Sequence, residues 1–94
     1  MKIRWLEDAV FDLKDLRQYI ADDNPMAVNR VAKRIYQSIS HLAKQPHIGR
    51  SGRVLNTREL VVNGTPYIIP YRVKNNKVEI LRVLHTSMKW PDSF

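Results

Sequence analysis

Cysteine is absent from this chain of 94 residues, which removes disulfide scaffolds, thiolate zinc sites and cysteine nucleophiles together. Fold stability must come from packing. Glycine is scarce, and none serves a phosphate loop: Gly49-Arg-Ser-Gly52 lacks the flanking strand and helix of a nucleotide motif. No apolar run approaches the roughly 18 residues that span a bilayer, so no membrane association is expected. The N-terminus turns acidic at Glu7 and Asp8, where a signal peptide needs its apolar stretch, so the expected location is cytoplasmic. Metal ligation has no support, because His41, His47 and His85 show no ligand spacing and no paired carboxylates back them. Neither a metal nor a cofactor is expected.

What is present is positive charge. Lys and Arg number 16 against 9 Asp and Glu, a formal net charge of +7 and a pI near 10.1. The natural partners are nucleic acid, an anionic surface or an acidic protein. The plainer alternative is a soluble basic protein whose lysines only oppose aggregation. The length suits one domain, residues 1–94, burying roughly 60–65% of its unfolded surface.

Lys2 to Trp5 alternates polar and apolar and reads as a short strand with Ile3 and Trp5 on one face. Glu7 and Asp8 place negative charge in the first turn of a helix, where the dipole favours it. Ala9, Leu13, Leu16 and Ile20 then recur at helical spacing. Asn24 is a good N-cap for a second helix and Pro25 fits its first position. That helix carries Val28, Val31, Ile35, Ile39 and Leu42 on one face, with Arg30, Lys33, Arg34, Gln37, His41 and Lys44 opposite. The short connection predicts an antiparallel helix hairpin. Its basic face either tracks a phosphate backbone or is simply solvated. It lacks aromatic residues for base stacking.

A loop from Pro46 to Arg53 leads to three short strands. Asn63-Gly64 predicts a type I′ hairpin turn, lengthened by Thr65-Pro66, and Asn75-Asn76 predicts a second turn. Pro70 cannot donate to a ladder, so a bulge is expected there in an otherwise continuous strand. The expected fold class is α+β: an N-terminal strand, then an antiparallel helix hairpin packed on a twisted antiparallel sheet completed by three C-terminal strands.

Arg58, Arg72 and Arg82 recur once per strand. Arginine grips carboxylate or phosphate bidentately, so the three are candidate anchors for an acidic partner. They are equally candidates for sheet-edge ion pairs with Glu59 and Glu79. His85 suits a general acid or base, or a structural hydrogen bond to the tail. On strand parity alone Arg82 and His85 point to opposite sides unless the strand ends or bulges between them.

The ordered combination of Asp12-Leu-Lys-Asp-Leu16, Tyr19-Ile20, Pro46-His-Ile-Gly-Arg50, Thr57 to Val62, Tyr67 to Val73, Val78 to His85 and Lys89-Trp-Pro91 resembles the RelE/ParE toxins of type II toxin–antitoxin systems. The resemblance covers nearly the whole chain. It implies a growth-arresting toxin neutralised by a cognate antitoxin in a hetero-oligomer, the antitoxin contributing an acidic, partly disordered C-terminal segment. It also implies one of two targets. RelE-like members are ribosome-dependent mRNA endoribonucleases that work without a metal, and ParE-like members poison DNA gyrase.

Metal-free RNA cleavage needs a base, an acid and cations for the phosphorane's charge. Where RelE-like members carry an arginine after the aromatic that opens the strand, Tyr67 is followed here by Ile68. Their lysine positions fall on Glu59 and Val61, and no tyrosine follows residue 71. His85, Arg82 and Lys89 are the residues left for a nuclease. The run Tyr67-Ile-Ile-Pro-Tyr-Arg-Val73 and the strand end at His85 are similar to ParE-like members, which implies gyrase inhibition, with the ribonuclease as the alternative. Lys89, Trp90, Arg50 and Arg53 are the candidate target contacts, unless Trp90 packs its indole back on the sheet. Arg58, Arg72 and Arg82 are the candidate antitoxin contacts.

Overall fold

The computed structural model describes residues 1–94. Strand β1, Lys2–Trp5, half-buries Ile3 and Trp5, as its alternation predicts. Helix α1, Glu7–Asp23, has no side-chain cap at Leu6, and Glu7 and Asp8 supply the negative charge its first turn needs. It buries Ala9, Leu13 and Leu16. Asn24 closes α1 by donating its backbone N–H to Ile20 O at 2.6 Å, and its carbonyl accepts from Ala27 at 3.0 Å. It therefore joins the helices through its backbone and makes no side-chain cap. Pro25 opens a single 3-10 turn, Pro25–Ala27, before helix α2, Val28–Leu42. Helix α2 buries Val31, Ala32, Ile35, Ile39 and Leu42.

Five further strands follow: β2, Arg50–Ser51; β3, Arg58–Val61; β4, Tyr67–Lys74; β5, Lys77–Ile80; and β6, Leu84–His85. The order is β1-β5-β4-β3-β2, with β6 also paired to β4. Two features depart from the sequence expectation. The sheet is mixed, because β1 runs parallel to β5, with Ile3 opposite Val78 and Trp5 opposite Ile80. The expected loop from Pro46 to Arg53 also contains a strand, since Arg50 and Ser51 pair with Glu59 and Arg58.

The turns exchange roles. Asn75 and Asn76 both have positive φ, 52° and 61°, the type I′ requirement. At Asn63-Gly64 only Gly64 is positive, at 77°, which is the type II pattern, and Thr65 N–H closes the turn on Val62 O. Thr65 and Pro66 do lengthen that loop, because β4 begins only at Tyr67.

The bulge expected at Pro70 forms in the chain opposite it. Pro70 presents a carbonyl there but no N–H, and Leu81 and Arg82 both donate to that carbonyl, at 3.0 and 3.4 Å. Between Tyr71↔Ile80 and Ile68↔Leu84, β4 advances 3 residues and the facing chain 4. The strand from Val78 to His85 is thereby split into β5 and β6, and parity is reset between them.

One face of the sheet, with Tyr67, Ile69, Tyr71, Val78 and Ile80, packs on the helix hairpin to form the main core. On the other face Ile68, Pro70 and Leu84 are also buried. The tail after β6 starts beside α1, where Ser87 and Met88 lie, and reaches the second face at Trp90, which lies against Arg53.

Candidate functional site

Glu59 is the buried centre of the second face, its side chain only 2% exposed. One carboxylate oxygen accepts from the Arg50 Nε and Nη2 at 3.2 and 3.1 Å, and the other from the Arg53 backbone N–H at 2.7 Å. The Arg53 guanidinium then lies 3.8 Å from the centroid of the Trp90 ring, a cation–π contact. Arg50 and Arg53 thus converge on one carboxylate, Trp90 joins them through Arg53, and Lys89, the fourth expected target contact, is exposed next to Trp90. Trp90 itself is half-buried, folded back on the protein, and its indole N–H is sealed without an acceptor.

The three candidate antitoxin contacts do not converge. Arg58 donates to the carbonyls of His47 and Gly49, at 3.2 and 2.9 Å, and so fastens the loop after α2. Arg72 bonds Glu79 at 2.7 Å. Arg82 forks onto both oxygens of Asp12 in α1, at 2.7 and 2.9 Å, and Asp12 also accepts the Val83 N–H at 2.9 Å. The hydrogen bond that Arg82 donates to Asp12 raises the Arg82 pKa, against burial, with the charges of Asp12 and Asp8 adding. Each guanidinium is already engaged within the protein.

The Arg72 bond also holds the Glu79 carboxyl below its ordinary 4.5, outweighing burial, with the charges of Arg72, Arg4 and Lys74 adding. A folded value below the unfolded one contributes stability that is complete above about 4.5 and is lost as pH falls through the folded value. An Arg72→Gln variant should therefore lose more stability at about pH 7 than at about pH 2, because the contribution of the Arg72–Glu79 pair declines as pH falls below 4.5 toward and through the folded value. Urea unfolding at the two pH values checks this, and equal losses at both would contradict it.

His85 faces α1, on the same side as Arg82's partner, because the bulge resets parity. Its Nδ1 accepts from Ser87 N–H at 3.1 Å and lies 2.7 Å from the Ser87 hydroxyl, so it organises the start of the tail. Its ring stands edge-on to Tyr67, centroids 5.4 Å apart. Beside it a cleft of about 470 Å³ opens between α1 and β6. Asp12, Asp15 and Tyr19 line the helical wall, and Tyr67, His85 and Met88 line the other. Burial pushes the Tyr67 phenol above its ordinary value, and the Tyr19 phenol adds to the shift.

Sequence reasoning passed over this cleft. The available signal was Asp12 and Asp15, each immediately preceding a leucine of the buried stripe, Leu13 and Leu16. That placement sets both carboxylates on the edge of the packed face, where Asp12 meets Arg82 and Asp15 stays exposed at the cleft. No group of three or more His, Cys, Asp or Glu is placed to hold a metal ion. No helix is long and apolar enough to cross a membrane.

The family described as the ParE toxin of the type II toxin–antitoxin system, parDE, matches residues 3–90. The chain belongs to the ParE toxin family. It is 46% identical over 90 residues to the putative toxin Y4kP of Sinorhizobium fredii, covering 96% of this chain and 93% of that protein. It is 36% identical over 86 residues to toxin RelE2 of Caulobacter vibrioides, covering 92% and 96%. The fold matches a chain of the chromosomal ParDE system from P. aeruginosa with a TM-score of 0.83, at 24% identity, over 90% of this chain and 95% of that one. As a ParE-family toxin of a type II system, the chain has a cognate antitoxin as its partner.

Proposed function

We propose that this ParE-family toxin acts in the cytoplasm by inhibiting DNA gyrase, that it arrests growth, and that its antitoxin neutralises it. The observation that supports this over mRNA cleavage is the charge around His85. A metal-free nuclease needs free cations converging on the phosphorane beside its acid and base. Beside His85 the cleft wall carries the carboxylates of Asp12 and Asp15, and Arg82 is consumed by Asp12. On the strands, Glu59 and Ile68 are buried and Val61 is apolar, so none supplies a cation. Each missing transition-state contact of this kind typically costs about 10²–10³ in rate.

Lys89 and the Arg50–Arg53–Trp90 cluster are the surface we assign to the target. Its exposed guanidinium edges and aromatic ring are the residue types that anchor interfaces. The test compares purified toxin against gyrase supercoiling and against mRNA on translating ribosomes. Inhibited supercoiling with stabilised DNA cleavage complexes, and intact mRNA, is the expected result. Efficient ribosomal cutting that disappears in His85→Ala would overturn it and make His85 a general acid or base.

A further inference from the structure

The most unusual surface on this strongly basic chain is the acidic aromatic cleft between α1 and β6. Asp12 is satisfied there by Arg82 and by the Val83 N–H, but Asp15 is exposed and makes no ion pair. Tyr67, only 6% exposed, makes no hydrogen bond through its hydroxyl within the protein, although the residue lines the cleft. The nearby Tyr19 is 72% exposed. A carboxylate, two phenol rings and an unpartnered hydroxyl acceptor form a site for an alkylammonium or guanidinium group. Leu16, Val83 and Met88 supply apolar wall for its aliphatic stem.

We propose that this cleft receives an arginine or lysine side chain of the cognate antitoxin, flanked by apolar residues. Asp15 is its ion-pair partner and the Tyr67 hydroxyl a second acceptor. The proposal inverts the simple charge expectation for a +7 chain. The arginines that would have gripped an acidic segment are spent internally, whereas Asp15 is not.

The antitoxin is the favoured source because of where the cleft lies. Its wall includes Ser87 and Met88, immediately before Lys89 and Trp90. A partner seated there contacts the start of the tail on the helix face, and by wrapping along the tail past Lys89 it would reach the surface assigned above to the target on the opposite face, as neutralisation requires. The inference rests on the toxin–antitoxin assignment, and its test is a binding measurement that does not involve gyrase.

The experiment titrates the separately purified product of the small reading frame beside the toxin gene onto wild-type toxin and the variants Asp15→Asn, Tyr67→Phe and Asp22→Asn. Melting curves establish that each variant is folded. Asp15→Asn is expected to weaken binding about 10- to 100-fold and Tyr67→Phe about 3- to 10-fold, with Asp22→Asn, on the same helix outside the cleft, unchanged. In a double-mutant cycle, Asp15→Asn should couple to one particular Arg or Lys of the antitoxin. Unchanged affinity for Asp15→Asn overturns the proposal, and tighter binding shows that the cleft faces an acidic segment instead. Failure of the wild-type protein to bind the neighbouring product at all would sink the pairing itself, a result distinct from any of these.

Discussion

Replacing Gly49 by alanine should destabilise the protein by about 2–4 kcal/mol, through overpacking and a lost hydrogen bond, and lower its melting temperature by roughly 10–25 °C. An added Cβ would lie 2.6 Å from Tyr71 Cε1, 2.7 Å from the Tyr71 hydroxyl and 3.0 Å from the Glu59 carbonyl oxygen. Tyr71 cannot yield, because it is fully buried in the main core. Its hydroxyl donates to Pro46 O at 2.8 Å and accepts the Gly49 N–H at 2.9 Å, so the phenol ties the loop after α2 to the middle of the sheet. Burial raises the pKa of that phenol, offset in part by the Gly49 bond and the Arg58 charge.

The consequence reaches the target surface. Gly49 immediately precedes Arg50, and displacing the loop would pull Arg50 and Arg53 away from Glu59 and uncouple Arg53 from Trp90. Tyr71→Phe, which removes the hydroxyl but no ring volume, should cost less, about 1–2 kcal/mol. Denaturant unfolding of both variants checks the ranking. A Gly49→Ala protein as stable as the wild type would mean that the loop is free to move off Tyr71, contrary to the packing described.

Local rules made much of this fold readable. The stripes Ala9-Leu13-Leu16 and Val31-Ile35-Ile39-Leu42 named their own buried faces, and Pro70 announced an interruption of the ladder. What the rules could not reach was the interruption's effect on residues across the sheet. The extra residue between Ile80 and Leu84 turns His85 toward α1, and no count along one strand reveals it without knowing what pairs with Pro70. The parallel pairing of β1 with β5 was hidden for a similar reason. It joins segments more than 70 residues apart, and Ile3 and Trp5 would alternate identically in either direction.

The site was legible to a different degree. Residue type drew attention to the arginines, but type does not say whether a guanidinium is free. Arg58, Arg72 and Arg82 are each bound to a carboxylate or carbonyl of the protein. Arg50 and Arg53 come together on Glu59, which occupies a position where RelE-like members carry lysine, and Trp90 is added through its contact with Arg53. A position notable for lacking a catalytic cation proves to organise the cations beside it.

Arg82→Ala should cost about 2–3 kcal/mol of stability. Breaking a buried ion pair by removing one partner typically costs about 3–5 kcal/mol, and the figure is lowered here because solvent partly reaches both side chains, at 26% and 13% exposure. The pair spans 70 positions of sequence and fastens α1 to the bulge that sets the orientation of His85. Without the guanidinium, Asp12 keeps only the Val83 N–H and remains a largely buried carboxylate. A double variant, Asp12→Ala with Arg82→Ala, should therefore lose less than the sum of the two single losses, with a coupling of about 1–2 kcal/mol. Thermal or urea unfolding of the three proteins gives the cycle, and antitoxin titration at a temperature where all are folded separates stability from recognition. A structural Arg82 shows its whole effect in unfolding. Unchanged stability combined with a large loss of antitoxin affinity would instead mean that Arg82 leaves Asp12 to grip the partner, and the helix-to-bulge tie would not be what holds α1 in place.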